Sequence, residues 1–303
     1  YGNIVLELAN EDLRLLEGYN YIALGSTTEE QSIIIENEEI SLEELYNAHC
    51  ETLEPIFPTK SVDIKEKIET INFISQGEAK KSYITIAKPR VFIPTFPGTN
   101  CEFDLQRAFE KAGANTNIEV FKNLTYKDIE DSIETIVKQI RKSQIIMLPG
   151  GFSAGDEPDG SAKFMATVFR NPKVAEAVNE FLTKQDGLML GICNGFQALI
   201  KLGLVPYGEI RETTVDAPTL TYNNIGRHQS KIVRTRIASN KSPWLAATEV
   251  GDTHSIAISH GEGKFVASEE VMRQLIANGQ IATQYVDFND NATYDIDFNP
   301  NGS

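Results

Sequence analysis

A cysteine stands between two glycines in the stretch Gly191-Ile192-Cys193-Asn194-Gly195-Phe196-Gln197, directly after an apolar run. This order is typical of a nucleophile elbow, a tight turn from a strand to a helix that holds a reactive side chain at the edge of a sheet. Glycines on either side remove the Cβ atoms that would clash in such a turn. We therefore predict that Cys193 is a nucleophile, with a buried core cysteine as the alternative.

A second glycine-rich stretch, Pro149-Gly150-Gly151-Phe152-Ser153, also follows an apolar run. It is not a nucleotide-binding P-loop, because Gly155-Asp156 supplies neither the lysine nor the hydroxyl residue that such a loop requires. Two successive glycines at a strand end do allow backbone N–H groups to approach a developing oxyanion. The stretch is therefore either an ordinary turn or a second oxyanion donor for Cys193.

A thiol nucleophile needs a general base, normally a histidine that a carboxylate orients. The chain has four histidines, namely His49, His228, His254 and His260. In Ser259-His260-Gly261-Glu262-Gly263 a histidine and a carboxylate stand close together, which makes His260 and Glu262 a candidate base pair for Cys193. A glycine-rich hairpin whose polar residues bind the backbone is the alternative for this stretch.

Composition limits the remaining classes of function. A chain of 303 residues with 41% hydrophobic content is long enough for about two domains, and no apolar run is long enough to span a bilayer. The net charge of −15 argues against a nucleic-acid-binding groove. Three cysteines without disulfide or metal-ligand spacing favour the reducing cytoplasm and predict no metal site.

The elements that would position these residues begin after a mixed N-terminal part. Residues 1–60 contain strand patterns at 4–8 and 31–35 and a helix pattern at 41–50, and Ser41-Leu42-Glu43-Glu44 has the form of a capping box. Residues 61–88 are rich in charge and indicate a solvated linker with one short helix.

From residue 89 onwards strands and helices alternate. We expect strands at 90–94, 116–121 and 144–148 and a further strand that leads to Cys193, and helices at 102–112, 126–141, 161–170 and 174–184. This alternation predicts a mostly parallel sheet covered on both faces, with the loop 97–102, the loop 149–153 and the Cys193 turn at its carboxyl edge. Beyond Gly203 the pattern favours strands near 231–237, 255–259 and 281–286.

These motifs together resemble the class I, or triad, glutamine amidotransferases. Within them, Phe96-Pro97-Gly98-Thr99-Asn100-Cys101-Glu102, the Gly150-Gly151 loop, Cys193-Asn194-Gly195 and the His260 stretch are similar to the glutaminase domains of the phosphoribosylformylglycinamidine synthase family. The resemblance implies a flavodoxin-like α/β glutaminase domain at 89–303. Leu53-Glu54-Pro55-Ile56-Phe57-Pro58-Thr59-Lys60 resembles the end of the synthetase region in the large single-chain form, which implies that 1–60 is a small α+β remnant of the aminoimidazole-ribonucleotide-synthetase-like domain.

The resemblance also implies a mechanism. Cys193 would form a thioester with L-glutamine, the backbone N–H groups of Gly151 and Asn194 would bind the oxyanion, and Gln197 would contact the glutamine. The released ammonia would serve the rest of the synthase in purine biosynthesis, where ATP and Mg²⁺ act in a domain absent from this chain. No cofactor is implied for the chain itself.

The general base departs from this pattern. In the family it comes from a separate His-x-Glu motif near the C-terminus, whereas residues 294–303 contain no histidine. We expect the chain to stop before that motif and its glutaminase activity to be impaired. Two other classes remain open: a cysteine-elbow hydrolase of the peptidase or deglycase type, and a non-catalytic docking module.

Overall fold

The computed structural model describes residues 3–58, 68–75, 86–153 and 162–303. The chain divides into two compact units, 1–58 and 59–303. The larger unit contains the Cys193 turn and both of the other predicted loops.

The smaller unit contains a β-hairpin followed by a helix. Strands β1 (Ser32–Ile35) and β2 (Glu38–Ser41) pair antiparallel, and helix α1 (Leu42–Glu51) follows directly. The Ser41 side chain accepts hydrogen bonds from the backbone N–H groups of Glu43 and Glu44, so the predicted helix start is confirmed. The strand predicted at 4–8 is wrong: this stretch is exposed irregular backbone and has no pairing partner among the described residues. A 3-10 helix follows at Asn10–Leu16.

A four-stranded parallel sheet forms the centre of the larger unit. Its strands are β3 (Arg90–Thr95), β4 (Asn115–Val120), β5 (Ile145–Leu148) and β6 (Leu188–Gly191), in the order β4-β3-β5-β6. The predicted strands at 90–94, 116–121 and 144–148 are confirmed to within one residue at each end, and β6 is the strand predicted to lead to Cys193. The parallel order brings the carboxyl ends of β3, β5 and β6 to one edge of the sheet, where the three predicted loops begin.

Alternating residues of these strands fill cores on both faces of the sheet. On one face Phe92, Ile146 and Leu148 pack with three helices, α3 (Tyr126–Lys142), α4 (Lys163–Phe169) and α5 (Pro172–Lys184), and with α6 (Asn194–Leu202). On the other face Val91, Ile93 and Met147 pack against α2 (Glu102–Lys111). Helices therefore cover both faces, as the alternation of apolar strands and amphipathic helices predicts.

The second half of the larger unit is mainly antiparallel. Strands β8 (Gln229–Ile237) and β9 (Thr253–His260) form a long ribbon, and β11 (Thr283–Tyr285) pairs with β8. The strands predicted near 231–237, 255–259 and 281–286 correspond to β8, β9 and β11. The structure adds α7 (Leu204–Tyr207), β7 (Thr219–Thr221), β10 (Lys264–Val266), which pairs with β7, and α8 (Glu269–Ala277).

Part of the predicted linker contacts this second half. Residues 68–75 run beside the end of β8, where Phe73 forms a parallel bridge with Ser239 and donates its backbone N–H to the Ala238 carbonyl at 2.8 Å. The Arg236 guanidinium donates to the Ile71 carbonyl at 3.0 Å. These residues are therefore hydrogen bonded to the sheet, where the charge pattern predicts solvated linker. Residues 61–67 and 76–85 of the same prediction, and residues 59–60 of the predicted N-terminal part, lie outside the described residues.

In the part of the chain that the structure describes, none of the helices has the length and apolar character needed to cross a bilayer.

Candidate active site

Cys193 occupies a strained turn between β6 and α6. Its φ of 54° and ψ of −113° lie in a region that residues other than glycine rarely adopt, at a cost of about 1–3 kcal/mol. The residue is exposed. The Ile192 N–H donates to the Leu148 carbonyl at the end of β5, and the backbone N–H groups of Gly195 and Gln197 donate to the carbonyls of Ile192 and Cys193. An exposed side chain on a strained turn between a strand and a helix has the geometry of a nucleophile elbow.

The two glycines around Cys193 are required by close packing. A Cβ on Gly191 would lie 2.5 Å from the Gly195 carbonyl oxygen, and a Cβ on Gly195 would lie 2.1 Å from the Leu148 carbonyl oxygen. Real Cβ atoms do not approach a carbonyl oxygen so closely. These glycines therefore allow the start of α6 to rest directly on the ends of β5 and β6 and so fix the position of Cys193.

The glycine-rich loop after β5 is hydrogen bonded to the loop after β3. The Asn100 N–H donates to the Gly150 carbonyl at 3.1 Å, and the Phe152 N–H donates to the Gly98 carbonyl at 2.7 Å. Between these two bonds Thr99 and Gly151 form an antiparallel bridge. In such a pair the neighbouring residues make the hydrogen bonds, so the bridge leaves the N–H of Gly151 unused. Gly151 has a φ of 126°, and a Cβ there would lie 2.5 Å from the Gly98 carbonyl oxygen.

Gly150 lies between two cysteines. A Cβ at this position would meet the Cys193 Cβ at 3.3 Å and the Cys101 Sγ at 3.5 Å, so the two thiols are neighbours across the glycine. Cys101 is half-buried at the N-terminus of α2. Burial, and then the negative charge of Cys193, raise the pKa of the Cys101 thiol. A raised pKa keeps the Cys101 thiol protonated to a higher pH and so lowers its reactivity near neutral pH.

Buried amide side chains connect the start of α6 to the loop after β9. Asn194 accepts a hydrogen bond from the Ser153 N–H through Oδ1 at 3.1 Å, and its Nδ2 donates to Gln197 Oε1 at 3.0 Å. Gln197 Nε2 in turn donates to the carbonyl oxygen and to Oε2 of Glu262, at 3.2 and 3.4 Å. Asn194, Gln197 and Glu262 are 0%, 8% and 6% exposed. The backbone at residue 262 is thereby linked to the start of α6 and, through Asn194, to the loop after β5.

His260 is held by an asparagine. Asn223 donates its Nδ2 to the carbonyl oxygens of Arg227 and His260, so its Oδ1 is the acceptor and His260 carries its proton on Nδ1, at 3.1 Å. The His260 ring lies over Gly263. Burial is the main cause that lowers the pKa of His260, and the nearby His228 lowers it further.

The predicted site residues are therefore partly brought together. Cys193, Gly151, Asn194 and Gln197 meet at the carboxyl edge of the sheet, and Glu262 reaches them through Gln197. The predicted pairing of Glu262 with His260 is not present, since Asn223 occupies Nδ1 of the ring. Sequence reasoning missed Asn223, because an asparagine in the stretch Tyr222-Asn223-Asn224 carries no local signal for a partner 37 positions away.

Comparison with known proteins identifies the family. Residues 88–303 match the CobB/CobQ-like glutamine amidotransferase domain. The chain belongs to this family. The predicted fold class, an α/β glutamine amidotransferase domain around a parallel sheet, is confirmed.

Individual relatives of this amidotransferase carry a more specific name. The chain is 35% identical over 190 residues to phosphoribosylformylglycinamidine synthase subunit PurQ of Dehalococcoides mccartyi, a match over 63% of this chain and 68% of that protein. It is 35% identical over 195 residues to the PurQ subunit of Methanococcus maripaludis strain S2, over 63% of this chain and 64% of that protein. The solved structure of PurLQS from Thermotoga maritima aligns with a TM-score of 0.47 at 27% identity, over 66% of this chain and 76% of that one.

Proposed function

We propose that this chain is the glutaminase portion of a phosphoribosylformylglycinamidine synthase, which supplies ammonia for a step of purine biosynthesis. The observation that carries the proposal is the exposed Cys193 at a φ of 54°, in a turn that glycines at 191 and 195 make possible. Membership of the glutamine amidotransferase family and the names of the PurQ relatives support the substrate and the pathway.

In the proposed reaction the Cys193 thiolate attacks the side-chain carbonyl carbon of L-glutamine. A C–S bond forms, the C–N bond of the amide breaks, and the amide nitrogen leaves as ammonia after it takes up a proton. Water then attacks the γ-glutamyl thioester, breaks the C–S bond and releases glutamate. The chemistry needs a thiolate, an oxyanion site and a proton donor for the leaving nitrogen.

Backbone N–H groups at Gly151 and Asn194 are proposed to bind the oxyanion. The bridge to Thr99 leaves the Gly151 amide unused, and its φ of 126° sets an orientation that a residue with a side chain would adopt only with strain. Asn194 is the first residue of α6, so its amide lies at the positive end of the helix dipole. One such donor is worth about 100-fold or more in rate.

The proton transfer step has no assigned residue. The ring of His260 bonds to Asn223, His228 bonds to Ser259 at 2.8 Å, and none of the four histidines has a described hydrogen bond to Cys193. A missing general base slows amide cleavage by about 100-fold to 10,000-fold. We therefore expect this chain to turn over glutamine slowly and to react well with an activated γ-glutamyl ester, whose leaving group needs no proton.

The remaining chemistry is assigned to the rest of the synthase. Ammonia from Cys193 would react there with the ribonucleotide amide that ATP activates, so neither ATP nor Mg²⁺ is assigned to this chain. Residues 1–87 lie outside the family match, and we propose that residues 1–60 belong to the synthetase part.

The test is acylation of Cys193 by γ-glutamyl p-nitrophenyl ester, followed by p-nitrophenolate release and by mass spectrometry of the thioester. We expect one equivalent of label on Cys193 and none in a Cys193→Ala variant. Cys50 is the control thiol, since it lies in the other unit. Labelling that is equal at Cys50 and Cys193, or that prefers a peptide ester, contradicts the proposal; the first outcome favours a docking module and the second a peptidase.

A further inference from the structure

The loop after β3, residues 96–100, holds the proposed oxyanion donor Gly151 from both sides. Thr99 pairs directly with Gly151, and backbone hydrogen bonds of 3.1 and 2.7 Å between the two loops lie on either side of this pair. Gly150 in turn lies against the nucleophile, since a Cβ at this position would meet the Cys193 Cβ at 3.3 Å. The direction of the Gly151 N–H relative to Cys193 therefore depends on the position of the loop 96–100.

The hydroxyl of Thr99 closes this loop. Its Oγ1 accepts a hydrogen bond from the Phe96 N–H at 3.2 Å and donates to the Phe96 carbonyl at 2.9 Å. The Thr99 N–H donates to the same carbonyl at 3.0 Å. A hydroxyl has one hydrogen to donate and two lone pairs that accept, so both side-chain bonds fit one orientation of the group. The side chain and the N–H of Thr99 are thus both bonded to Phe96.

Phe96 is a fixed point for these bonds, because it is 2% exposed and packs among three other aromatic rings. The ring centroids of Phe121, Phe164 and Phe169 lie 5.9, 6.0 and 6.3 Å from that of Phe96. All of these rings pack in the core on one face of the parallel sheet. A closely packed core resists displacement, so Thr99 connects the loop to a rigid part of the fold.

Loss of the hydroxyl would affect the backbone of this loop directly. Among the described residues, the Thr99 hydroxyl is the acceptor for the Phe96 N–H. A buried donor without a partner is unfavourable, and the loop would relieve it by moving until another acceptor or water is reached. Gly151 would move with the loop, because the hydrogen bonds between the two loops connect them on both sides of it.

We propose that the Thr99 hydroxyl is a positioning group of the oxyanion site, which holds the Gly151 N–H in a fixed direction relative to Cys193. This inference rests on the proposed acyl transfer at Cys193. Thr99 acts on the reacting atoms only through Gly151, since both bonds of its hydroxyl go to Phe96.

The experiment compares two activated esters on the same variants. In each case the Cys193 thiolate attacks the ester carbonyl carbon, the C–S bond forms and p-nitrophenolate leaves with the electrons of the broken C–O bond. One ester carries a γ-glutamyl group and the other an acetyl group. A residue that contacts glutamine affects only the first ester, whereas a residue that positions the oxyanion site affects both.

For Thr99→Val we expect the acylation rate constant to fall by on the order of 100-fold with both esters, because one oxyanion donor is worth about that factor. The KM for the γ-glutamyl ester should stay within about 2-fold, since the lost interaction acts in the transition state. Thr99→Ser retains the hydroxyl and should stay within about 3-fold of the wild type. An equal loss in both variants, or a loss confined to the γ-glutamyl ester, overturns the inference.

The matched control is Thr183→Val on α5. Its hydroxyl is exposed and donates to the Asn179 carbonyl of the same helix, so this variant removes a hydroxyl of the same kind away from the loop 96–100. Both ester rates should be unchanged in it. A fall that equals that of Thr99→Val would show that the effect is not specific to the loop and contradicts the inference.

Two further measurements separate a misplaced oxyanion donor from a poorly folded protein. Each rate constant is taken from the burst of p-nitrophenolate, so an unfolded fraction lowers the burst amplitude and leaves the rate constant unchanged. Alkylation of Cys193 by iodoacetamide is a displacement at a saturated carbon and forms no oxyanion, so its rate should stay within about 2-fold of that of the wild type. If Thr99→Val yields no folded protein, the smaller Thr99→Ala is measured in its place with the same expectation. A variant that loses only amplitude, or that loses alkylation as much as acylation, contradicts the inference.

Failure of the proposed function has a different signature. A wild-type protein that acylates Cys193 equally fast with both esters is not a glutaminase, yet the fall with the acetyl ester in Thr99→Val relative to Thr99→Ser still tests the role of Thr99.

Discussion

Cys193 and Cys101 lie on either side of Gly150, and they differ in exposure. Cys193 is exposed on its turn, whereas Cys101 is half-buried at the start of α2. Burial raises the pKa of the Cys101 thiol, and the negative charge on Cys193 raises it further. A raised pKa keeps a thiol protonated to higher pH, and only the thiolate reacts with alkylating agents. One glycine thus separates an exposed sulfur from a half-buried sulfur whose raised pKa favours the protonated form.

We predict that iodoacetamide at pH 7.5 alkylates Cys193 roughly 10-fold faster than Cys101. The rate at Cys101 should rise as the pH is raised toward 9, and it should be higher in Cys193→Ala, because the neighbouring negative charge is then absent. Peptide mapping by mass spectrometry after timed quenching measures both sites in one sample. Equal rates at the two cysteines at pH 7.5 would show that Cys101 is neither shielded nor influenced by its neighbour.

Helix α6 approaches the sheet more closely than a helix with side chains at the contact could. Gly195 rests on the Leu148 carbonyl of β5 and Gly191 rests on the Gly195 carbonyl, each at a distance that leaves no space for a methyl group. The helix also ends at Gly203, which has a φ of 81°, so both its start and its end depend on glycine. The position of Cys193 follows from this packing of a whole element rather than from the cysteine itself.

Gly195→Ala is expected to lower the free energy of unfolding by about 3 kcal/mol, because the added Cβ would lie 2.1 Å from a backbone oxygen that cannot move freely. The ester acylation rate at Cys193 should fall with it. The matched control is Gly261→Ala, where the added Cβ would meet only the His228 Cα at 4.0 Å. Urea unfolding of both variants measures the difference, and similar midpoints would mean that α6 does not require this close contact.

The sequence predicts most elements of the larger unit, because their signals are local. Short apolar runs predicted β3, β5 and β6, and amphipathic patterns predicted α2, α3 and α5. Strands β7 and β10 have three residues each, too few for any periodicity to be read. Helix α8 does have a residue that is typical of a helix start, because Ser268 precedes the helix and its side chain accepts a hydrogen bond from the Val271 N–H. Residues 4–8 show the opposite failure, because an apolar alternation there found no pairing strand among the described residues.

The candidate site also contains some residues that local sequence signals predict and others that they do not. Cys193 and its glycines could be predicted because the turn is encoded within five residues. The link from Gln197 to Glu262 could not, since 65 positions separate the two residues and nothing in either stretch specifies the other. The expectation that Glu262 would orient His260 came from their nearness in sequence. In the fold the β9 end turns their side chains toward Gln197 and Asn223 respectively.

At the scale of the whole molecule, the stretch 260–263 connects the sheet that carries Cys193 to the end of the described chain. Asn223 bonds His260 and the Gly263 N–H, and Asn301 donates to the Gly263 carbonyl at 2.9 Å and to the Tyr285 hydroxyl at 3.1 Å. Gln197, Asn223 and Asn301, which come from three separate segments, thus all bond to this one stretch. Burial of a histidine in such a position makes the stability of the fold sensitive to pH.

Burial lowers the folded-state pKa of His260 below the unfolded value of about 6.5, so the unfolded chain takes up a proton first as the pH falls. Stability is therefore fully present above pH 6.5 and declines below it, until the folded state is also protonated. The fall in Tm between pH 7.5 and pH 5.5 should be smaller in His260→Gln than in the wild type. The control is His254→Gln, on the exposed part of β9, which should keep the wild-type fall. An identical fall in all three proteins rules out His260 as the titrating group.

Residues 68–75 belong to the same folded unit as the amidotransferase domain. The family match begins at residue 88, but Phe73 covers Gly279, and Ile71 accepts from Arg236 and donates its own N–H to Gln284 at 2.8 Å. A domain excised at residue 88 would lose this covering of Gly279, and the Arg236 guanidinium would lose its hydrogen bonds to Ile71 and Asn72. The structural boundary of the larger unit therefore lies before residue 68, and a version of this unit that is produced on its own would need to carry that stretch with it.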